Sequence, residues 1–409
     1  MTKEIFIAKY GDEPQEVTRN YSTKSLGTNY NIKDAFVEFG DNAGDARIPG
    51  KTLNFNITID NQAKSFIFED DGTGVNDDTN LFKLGGTNKE TAKGKIGKFG
   101  IGVPGATSAI ATKCVFNKNE MVEIIFKSAC NGRLIEKHIA ILPNGDTILG
   151  TTAYQECSSD LHYTKIIFYN VELKNYTEVV DALEETFEEP LHKDMNINFN
   201  GRQLGKTFNR TFVGDEKVTT VMVGQFKTEV KYRIIGGDTA ASNARSFEEA
   251  GLRVYDKSTG RLLAKSTDLW YWYCGRKAQQ NICGLRAAIY IDSSIESYYK
   301  FGIKPSKNGV TYAKYHKTDV DFAELASVLV DIYSRAASSA PATTDGKITL
   351  GSREFQTTTI KMEEPFKEIS PTSYLIKKKL SPMEIAELVN ELINLRKKVS
   401  KKNSKKETL

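Results

Sequence analysis

Glu38, Asn42 and Asp45 stand at i, i+4 and i+7, beside an apolar series of Ile32, Ala35, Phe36, Phe39, Ala43 and Ala46 spaced by three and four. This double periodicity predicts one helix over residues 31–46 that carries two carboxylates and an amide on a single face. Gly40 and Gly44 interrupt it, each at a cost of about 1 kcal/mol against alanine. Gly44 is expected to admit a ligand or strand at close range, and nothing in the sequence explains Gly40. Beyond the helix, Leu53, Phe55, Ile57 and Ile59 alternate with polar residues, Asn61-Gln62 turns the chain, and residues 65–69 return as a second strand. Asp70 then falls at a strand end, where a side chain can face a pocket.

Two glycine-bearing motifs come next. Asp70-Asp71-Gly72-Thr73-Gly74 permits a tight backbone turn. A polar stretch, residues 76–96, reads as a mobile loop and leads to Gly97-Lys98-Phe99-Gly100-Ile101-Gly102, after which a helix is expected to about residue 111. Bare N–H groups at a helix start hold phosphate. Attack of water on a phosphoryl group needs an orienting carboxylate, fixed geometry and a cation on the phosphate oxygens. The three stretches together supply such groups, and they describe a nucleotide pocket. Other glycine loops fit less well. A Walker loop fails because Gly94-Lys95 is followed by Ile96, and a calcium loop fails because the twelfth position from Asp70 is Leu81.

In order and spacing the motifs resemble those of the GHKL ATPases, which include DNA gyrase B, the heat-shock chaperones, histidine kinases, MutL and MORC proteins. The wording Ile-Gly-Lys-Phe-Gly-Ile-Gly-Val-Pro-Gly-Ala-Thr-Ser-Ala-Ile is most similar to MORC proteins and the chaperones. The resemblance implies an α+β fold. A Bergerat-fold α/β sandwich would be followed by a second, smaller α/β transducer-like domain, and the a/d spacing of Ile385, Leu388, Leu392, Leu395 and Val399 adds a C-terminal helix. The resemblance also implies ATP and magnesium as cofactors, slow hydrolysis to ADP and phosphate, and a homodimer formed on ATP binding. Residue by residue, it assigns the water to Glu38 and the magnesium to Asn42. Asp45 joins the pocket, and Asp70 takes the adenine amino group above Gly72 and Gly74. Thr87 and Lys89 fall on the lid, and Gly97, Lys98, Phe99, Gly100, Ile101 and Gly102 meet the phosphates. Thr164 supports Asp70. A lysine of the 302–309 loop would reach the γ-phosphate, with Lys307 preferred to Lys304.

Organisation beyond the motifs is weaker. Strands are predicted at 122–127, 133–141 and 164–169 and a helix at 177–188. Asn200-Gly201 is a hairpin signal that marks a boundary. The expected domains are an ATP-binding domain at 1–202, a transducer-like domain at 203–345, and a linker, helix and basic tail at 346–409. In the second, strands are predicted at 218–223, 229–235, 252–255 and 287–291, with a helix at 321–336. Leu269-Trp270-Tyr271-Trp272-Tyr273 alternates like a buried strand, with base stacking as its rival.

Residues 374–409 hold ten Lys/Arg against four Asp/Glu, so the tail carries +6 of a net +4 and the rest sums to −2. A basic tail suits DNA as the partner, with a protein client as the alternative. The four histidines are followed by Ile, Tyr, Lys and Lys, which is not a phosphoacceptor pattern, and the five scattered cysteines suit free thiols. No membrane-spanning run or secretory signal is read, so the expected location is cytoplasmic, or nuclear or nucleoid-associated if DNA is bound.

Overall fold

The computed structural model describes residues 2–12, 30–75, 102–191, 193–205, 212–235, 251–266, 268–274, 285–304, 307, 309–310 and 319–339. The chain divides into two units, Met1–Gly346 and Lys347–Leu409, and every described residue belongs to the first. The lid segment, Thr87, Lys89, Gly97, Lys98, Phe99, Gly100 and Ile101 lie outside the described residues, as do the predicted C-terminal helix and basic tail.

Helix α1 (Lys3–Tyr10) opens the chain and is capped by Thr2. Helix α2 (Ile32–Asp45) starts where the side chain of Asn31 accepts the N–H of Asp34 at 2.8 Å. Strands β1 (Leu53–Asp60) and β2 (Ser65–Asp70) form the expected hairpin, with Phe55 opposite Asp70. Helix α3 (Gly102–Lys113) is followed by β3 (Val122–Cys130), β4 (Arg133–Ile141), β5 (Thr147–Leu149), β6 (Ala153–Glu156) and β7 (Tyr163–Tyr169). The predicted helix at 177–188 breaks into α4 (Thr177–Thr186) and α5 (Glu188–Leu191), the latter containing Pro190. Strands β8 (Met195–Phe199) and β9 (Arg202–Gln203) flank Asn200 and Gly201 at φ 49° and 77°, the geometry of a type I′ turn.

Among the described residues these nine strands form one sheet in the order β5-β4-β3-β7-β2-β1-β8-β9, with β6 also on β4. The pairing is antiparallel except for β1 with β8, where Phe55 faces Ile197. Helix α2 packs against α3, α4 and β1. Its apolar face is fixed by aromatic rings, Phe36 at 4.9 Å and Phe39 at 4.5 Å from Phe68. Phe36, Phe39, Phe66, Phe68 and Phe168 are all buried in this core. Each such side chain contributes roughly 1.5–3 kcal/mol by burial, so the helix that bears Glu38 is held firmly from behind.

A second sheet has its own core. Strands β10 (Phe212–Val223), β11 (Phe226–Ile235), β12 (Gly251–Asp256), β13 (Leu262–Ser266) and β14 (Leu285–Ile291) run in the order β10-β11-β14-β12-β13. Helix α6 (Asp268–Cys274) contains the Leu269–Tyr273 stretch, so the expected strand there is corrected to a helix. Leu269, Trp270 and Tyr273 all turn into the core, a set at i, i+1 and i+4 that helical spacing puts on one face and alternation would split. Helix α7 (Ile295–Lys300) and helix α8 (Ala323–Ser339), the latter entered through a 3₁₀ turn at Val320–Phe322, complete this part. Strand β12 is buried along its whole length, because β13 and β14 flank it and both its faces are covered.

Gly40 acquires an explanation. A Cβ there would lie 2.6 Å from the ring of Phe187, so the glycine lets α2 sit against the end of α4. Among the described residues no atom outside the helix's own backbone lies within 4 Å of such a Cβ on Gly44, so no described strand approaches it closely. The two glycines of one helix should therefore respond with opposite sign. Gly40→Ala should lower stability by about 1–3 kcal/mol through overpacking. Gly44→Ala should raise it by up to about 1 kcal/mol through helix propensity. Urea denaturation of both variants measures the pair.

Candidate functional site

Asp70 closes β2 and is 7% exposed. The N–H of Gly72 donates to its carboxylate at 3.0 Å. Its neighbour Asp71 is spent elsewhere, accepting from the backbone and side-chain nitrogens of Asn54 at 2.7 and 2.6 Å. Two contacts shape the turn after β2. The N–H of Thr73 donates to the carbonyl of Ala46 at 2.7 Å, which ties the turn to the end of α2. Gly74 has φ 69°, and a Cβ there would lie 2.1 Å from the carbonyl oxygen of Ala129. Ser128 pins the exit, accepting from the N–H of Val75 at 2.7 Å and donating to the carbonyl of Tyr163 at 2.9 Å. Thr164 stands directly opposite Asp70 on β7. Burial, the largest cause, lifts the Asp70 carboxyl from 3.8 to about 7, aided by Asp71 and Glu69 and opposed by the Gly72 N–H.

The polar face of α2 is not a solvent face. Asp34, Glu38, Asp41 and Asp45 are all buried. Buried carboxylates need hydrogen bonds or countercharge. Asn42 donates its Nδ2 to the carbonyl of Glu38 at 2.7 Å, so the donor end of its amide is used within the helix. The Glu38 carboxylate lies against the start of α3, where a Cβ on Gly102 would come 1.8 Å from Glu38 Oε1. Only glycine allows that approach. Tyr30, whose hydroxyl has no hydrogen-bond partner among the described residues, packs its ring beside Gly105 of the same helix.

The countercharge arrives from residues that follow β12. Lys307, 3% exposed, places its ammonium 3.1 Å from Glu38 Oε2 and 2.8 Å from Asp41 Oδ2. Arg261, in the turn between β12 and β13, bonds the other oxygen of Asp41 through Nε. Its Nη1 donates to the carbonyls of Lys307 at 2.9 Å and Leu262 at 2.8 Å. Two acids and two bases thus share one buried site. Burial raises the Glu38 carboxyl, Lys307 opposes it and Asp41 reinforces it. Burial, the largest single cause, lowers Lys307 and Arg261, but the attractions of Asp41 and Glu38 together exceed it and both are raised.

Of the residues singled out in the sequence, Glu38, Asn42, Asp45, Gly102 and Lys307 gather at α2, and Asp70, Gly72, Gly74 and Thr164 gather at its C-terminal end. Lys307 rather than Lys304 meets Glu38; the Lys304 ammonium lies instead 3.8 Å from the Cβ position of Gly309. Four participants carried no sequence signal of their role: Asp41, Arg261, Ser128 and Tyr30. Asp41 lies on the same helix but outside the Glu38, Asn42 and Asp45 spacing. Arg261 lies 220 residues from its partner Asp41, so no local pattern points to it.

Residues 30–164 match the family described as histidine kinase-, DNA gyrase B- and HSP90-like ATPases. The match falls on the first sheet and its helices, a segment similar to the GHKL ATPases, and the mixed sheets and helices make an α+β fold. No curated protein matches the sequence. The structure is similar to the ATPase and transducer domains of DNA topoisomerase II from Balamuthia mandrillaris, at 12% identity over 75% of this chain and 85% of that one, with a TM-score of 0.43. It is also similar to the ATPase region of Saccharomyces cerevisiae topoisomerase II, at 14% identity over 74% and 86%, with a TM-score of 0.40. Likenesses of this size carry no functional argument.

The raised Asp70 carboxyl has a consequence for stability. Folded protein keeps a proton there that the unfolded chain has lost, so this residue's contribution is intact below the ordinary carboxylate range and is withdrawn as pH rises toward about 7. Asp70→Asn should therefore raise the melting temperature of nucleotide-free protein by several degrees at about pH 8 and leave it nearly unchanged at about pH 4. Thermal scans of both proteins at the two pH values check the sign.

Proposed function

We propose that the chain binds ATP and hydrolyses it slowly to ADP and phosphate, as a nucleotide-gated clamp that closes by pairing with a second copy. The reading keeps an ATP-binding domain at 1–202, a transducer-like domain at 203–345, and a linker, helix and basic tail at 346–409. One observation carries it. A lysine that follows α7, outside the matched segment, reaches the carboxylate of the Glu-x-x-x-Asn helix in the segment matched to the ATPase family.

Asp70 accepts the adenine amino group, and the turn of Gly72 and Gly74 leaves room beneath the base. Glu38 orients the attacking water and takes its proton; a carboxylate raised by burial suits that step. Lys307, which meets Glu38 at 3.1 Å, turns its charge to the γ-phosphate oxygens, which frees Glu38 for the water. The Asn42 amide fits a magnesium ion, because its nitrogen is already bonded to the Glu38 carbonyl and its oxygen is the end left for a hard cation. Magnesium would there neutralise phosphate charge. Among the described residues no group of three or more His, Cys, Asp or Glu is placed to hold a metal, and Asn42 would offer the ion one protein oxygen. Because Lys307 follows α7, which packs with the second core, ATP couples that part of the chain to the site. No helix among the described residues is long and apolar enough to cross a membrane.

The partner we assign to the clamp is DNA, on the +6 charge of residues 374–409 and the MORC-like wording of the third motif. A chaperone-like action on a protein client is the alternative. A second reading, an ATP sensor with negligible turnover, draws support from the same Lys307–Glu38 contact, which occupies the carboxylate that a water would need.

Glu38→Ala should abolish phosphate release while leaving ATP bound, and Asp70→Asn should weaken binding itself. Phosphate release from Glu38→Ala equal to wild type would sink the assignment of Glu38, and a wild-type protein with none would promote the sensor. For the partner, gel shifts across salt concentration with linear and circular DNA should show affinity that falls steeply with salt and depends little on sequence. Removal of residues 397–409 should weaken that contact and spare ATP binding. No shift at low salt in any nucleotide state would favour a protein client.

A further inference from the structure

We infer that Arg261 is a positioning residue for ATP hydrolysis, setting where the Lys307 ammonium stands by holding Asp41 and the Lys307 backbone at once. The inference rests on the reading of Glu38 and Lys307 given above. Arg261 touches neither the water nor the phosphate site; it acts through its neighbours.

The first support is geometric. One planar guanidinium bonds the side chain of Asp41 on α2 and, at 2.9 Å, the carbonyl of Lys307. A lysine at this position has no rigid fork with which to make both bonds. The second is the rigidity of its mount. Asp256 accepts from Ser258 N at 3.0 Å, Ser258 Oγ at 2.7 Å, Thr259 N at 2.9 Å and Thr259 Oγ1 at 2.8 Å. Its other oxygen accepts from the hydroxyl of Tyr298 at 2.7 Å. The backbone of Asp256 bonds Arg261 and Gly260 at 2.9 and 2.8 Å, so the turn that carries Arg261 is braced on both sides. The third is strain at its target. Lys307 has φ 54°, a left-handed conformation uncommon outside glycine. Its N–H bonds Lys304 at 2.7 Å and its carbonyl bonds Arg261, which together hold it there.

Electrostatics sets the direction of the effect. Lys307 stands between two carboxylates, Asp41 at 2.8 Å and Glu38 at 3.1 Å. Arg261 neutralises one oxygen of Asp41 and thereby weakens its hold on the ammonium. Without the guanidinium, Asp41 takes Lys307 entirely and draws it away from Glu38 and from the γ-phosphate.

The test is Arg261→Lys, measured for steady-state hydrolysis and, separately, for binding of a fluorescent ATP analogue. kcat should fall on the order of 10²-fold with the Kd of the analogue unchanged. On a Lys307→Ala background the same substitution should add no further loss, since both act through one ammonium. Wild-type kcat in Arg261→Lys, where Lys307→Ala is slowed, overturns the inference and leaves the proposed function standing. Losses that add on the Lys307→Ala background, with analogue binding and melting temperature falling in step, make Arg261 merely structural and also overturn it. Wild-type turnover in Lys307→Ala removes the underlying reading. If Arg261→Lys does not fold, Arg261→Gln removes the guanidinium and leaves Asp41 free to take Lys307. It should bind the analogue and lose kcat to the same degree, and wild-type kcat there overturns the inference.

Discussion

Four buried charges hold the site together. Glu38 and Asp41 come from α2, Arg261 from the β12–β13 turn and Lys307 from the segment after α7, and each is at most 3% exposed. Taken singly, any one of them would be expelled from the interior or neutralised. As a set they are balanced, two against two, and loss of one partner of such a buried pair costs about 3–5 kcal/mol. The arrangement is therefore less a source of net stability than a specification. It accepts one register of the β12–β13 turn against α2 and penalises others. The other charged contacts across this face, Lys265 with Glu185 and the Tyr290 hydroxyl with Glu189, lie nearer solvent and tie the same strands to α4 and α5.

Glycine does complementary work. At Gly102 the missing side chain is the space that the Glu38 carboxylate fills, and at Gly74 it is the space against Ala129. At Gly40 it is the space for Phe187. A motif pattern registers such glycines as flexible turns. In this fold their contribution is volume, since they let a carboxylate, a carbonyl and a ring approach backbone more closely than any side chain permits.

Much of the fold was legible because one face of each element is buried. The alternation at β1 and the three-four spacing of α2 gave those elements to within a residue or two, and Asn200-Gly201 gave its turn. The stretch Leu269–Tyr273 misled because it is almost uniformly aromatic, so period two and period three-point-six fit it alike. Short edge pieces such as β5 and β6 were missed because three or four residues carry too little pattern. In the site, the motif residues were legible by their spacing. Arg261 was not, since its role depends on a contact made across two sheets, and tertiary contacts leave no periodic trace in the chain.

The parallel pairing of β1 with β8 has a consequence for the time at which the site can exist. Leu53 lies beside Met195, so a nascent chain that has emitted α2, β1 and β2 still lacks the strand that borders β1. More than a hundred further residues must emerge before that edge is covered, and the countercharge for Glu38 and Asp41 comes later still, with Arg261 and then Lys307. During synthesis the acidic face of α2 therefore waits in water, its carboxylates solvated and ionised. The site is assembled last, by the arrival of its own cations, after the sheet beneath it is complete.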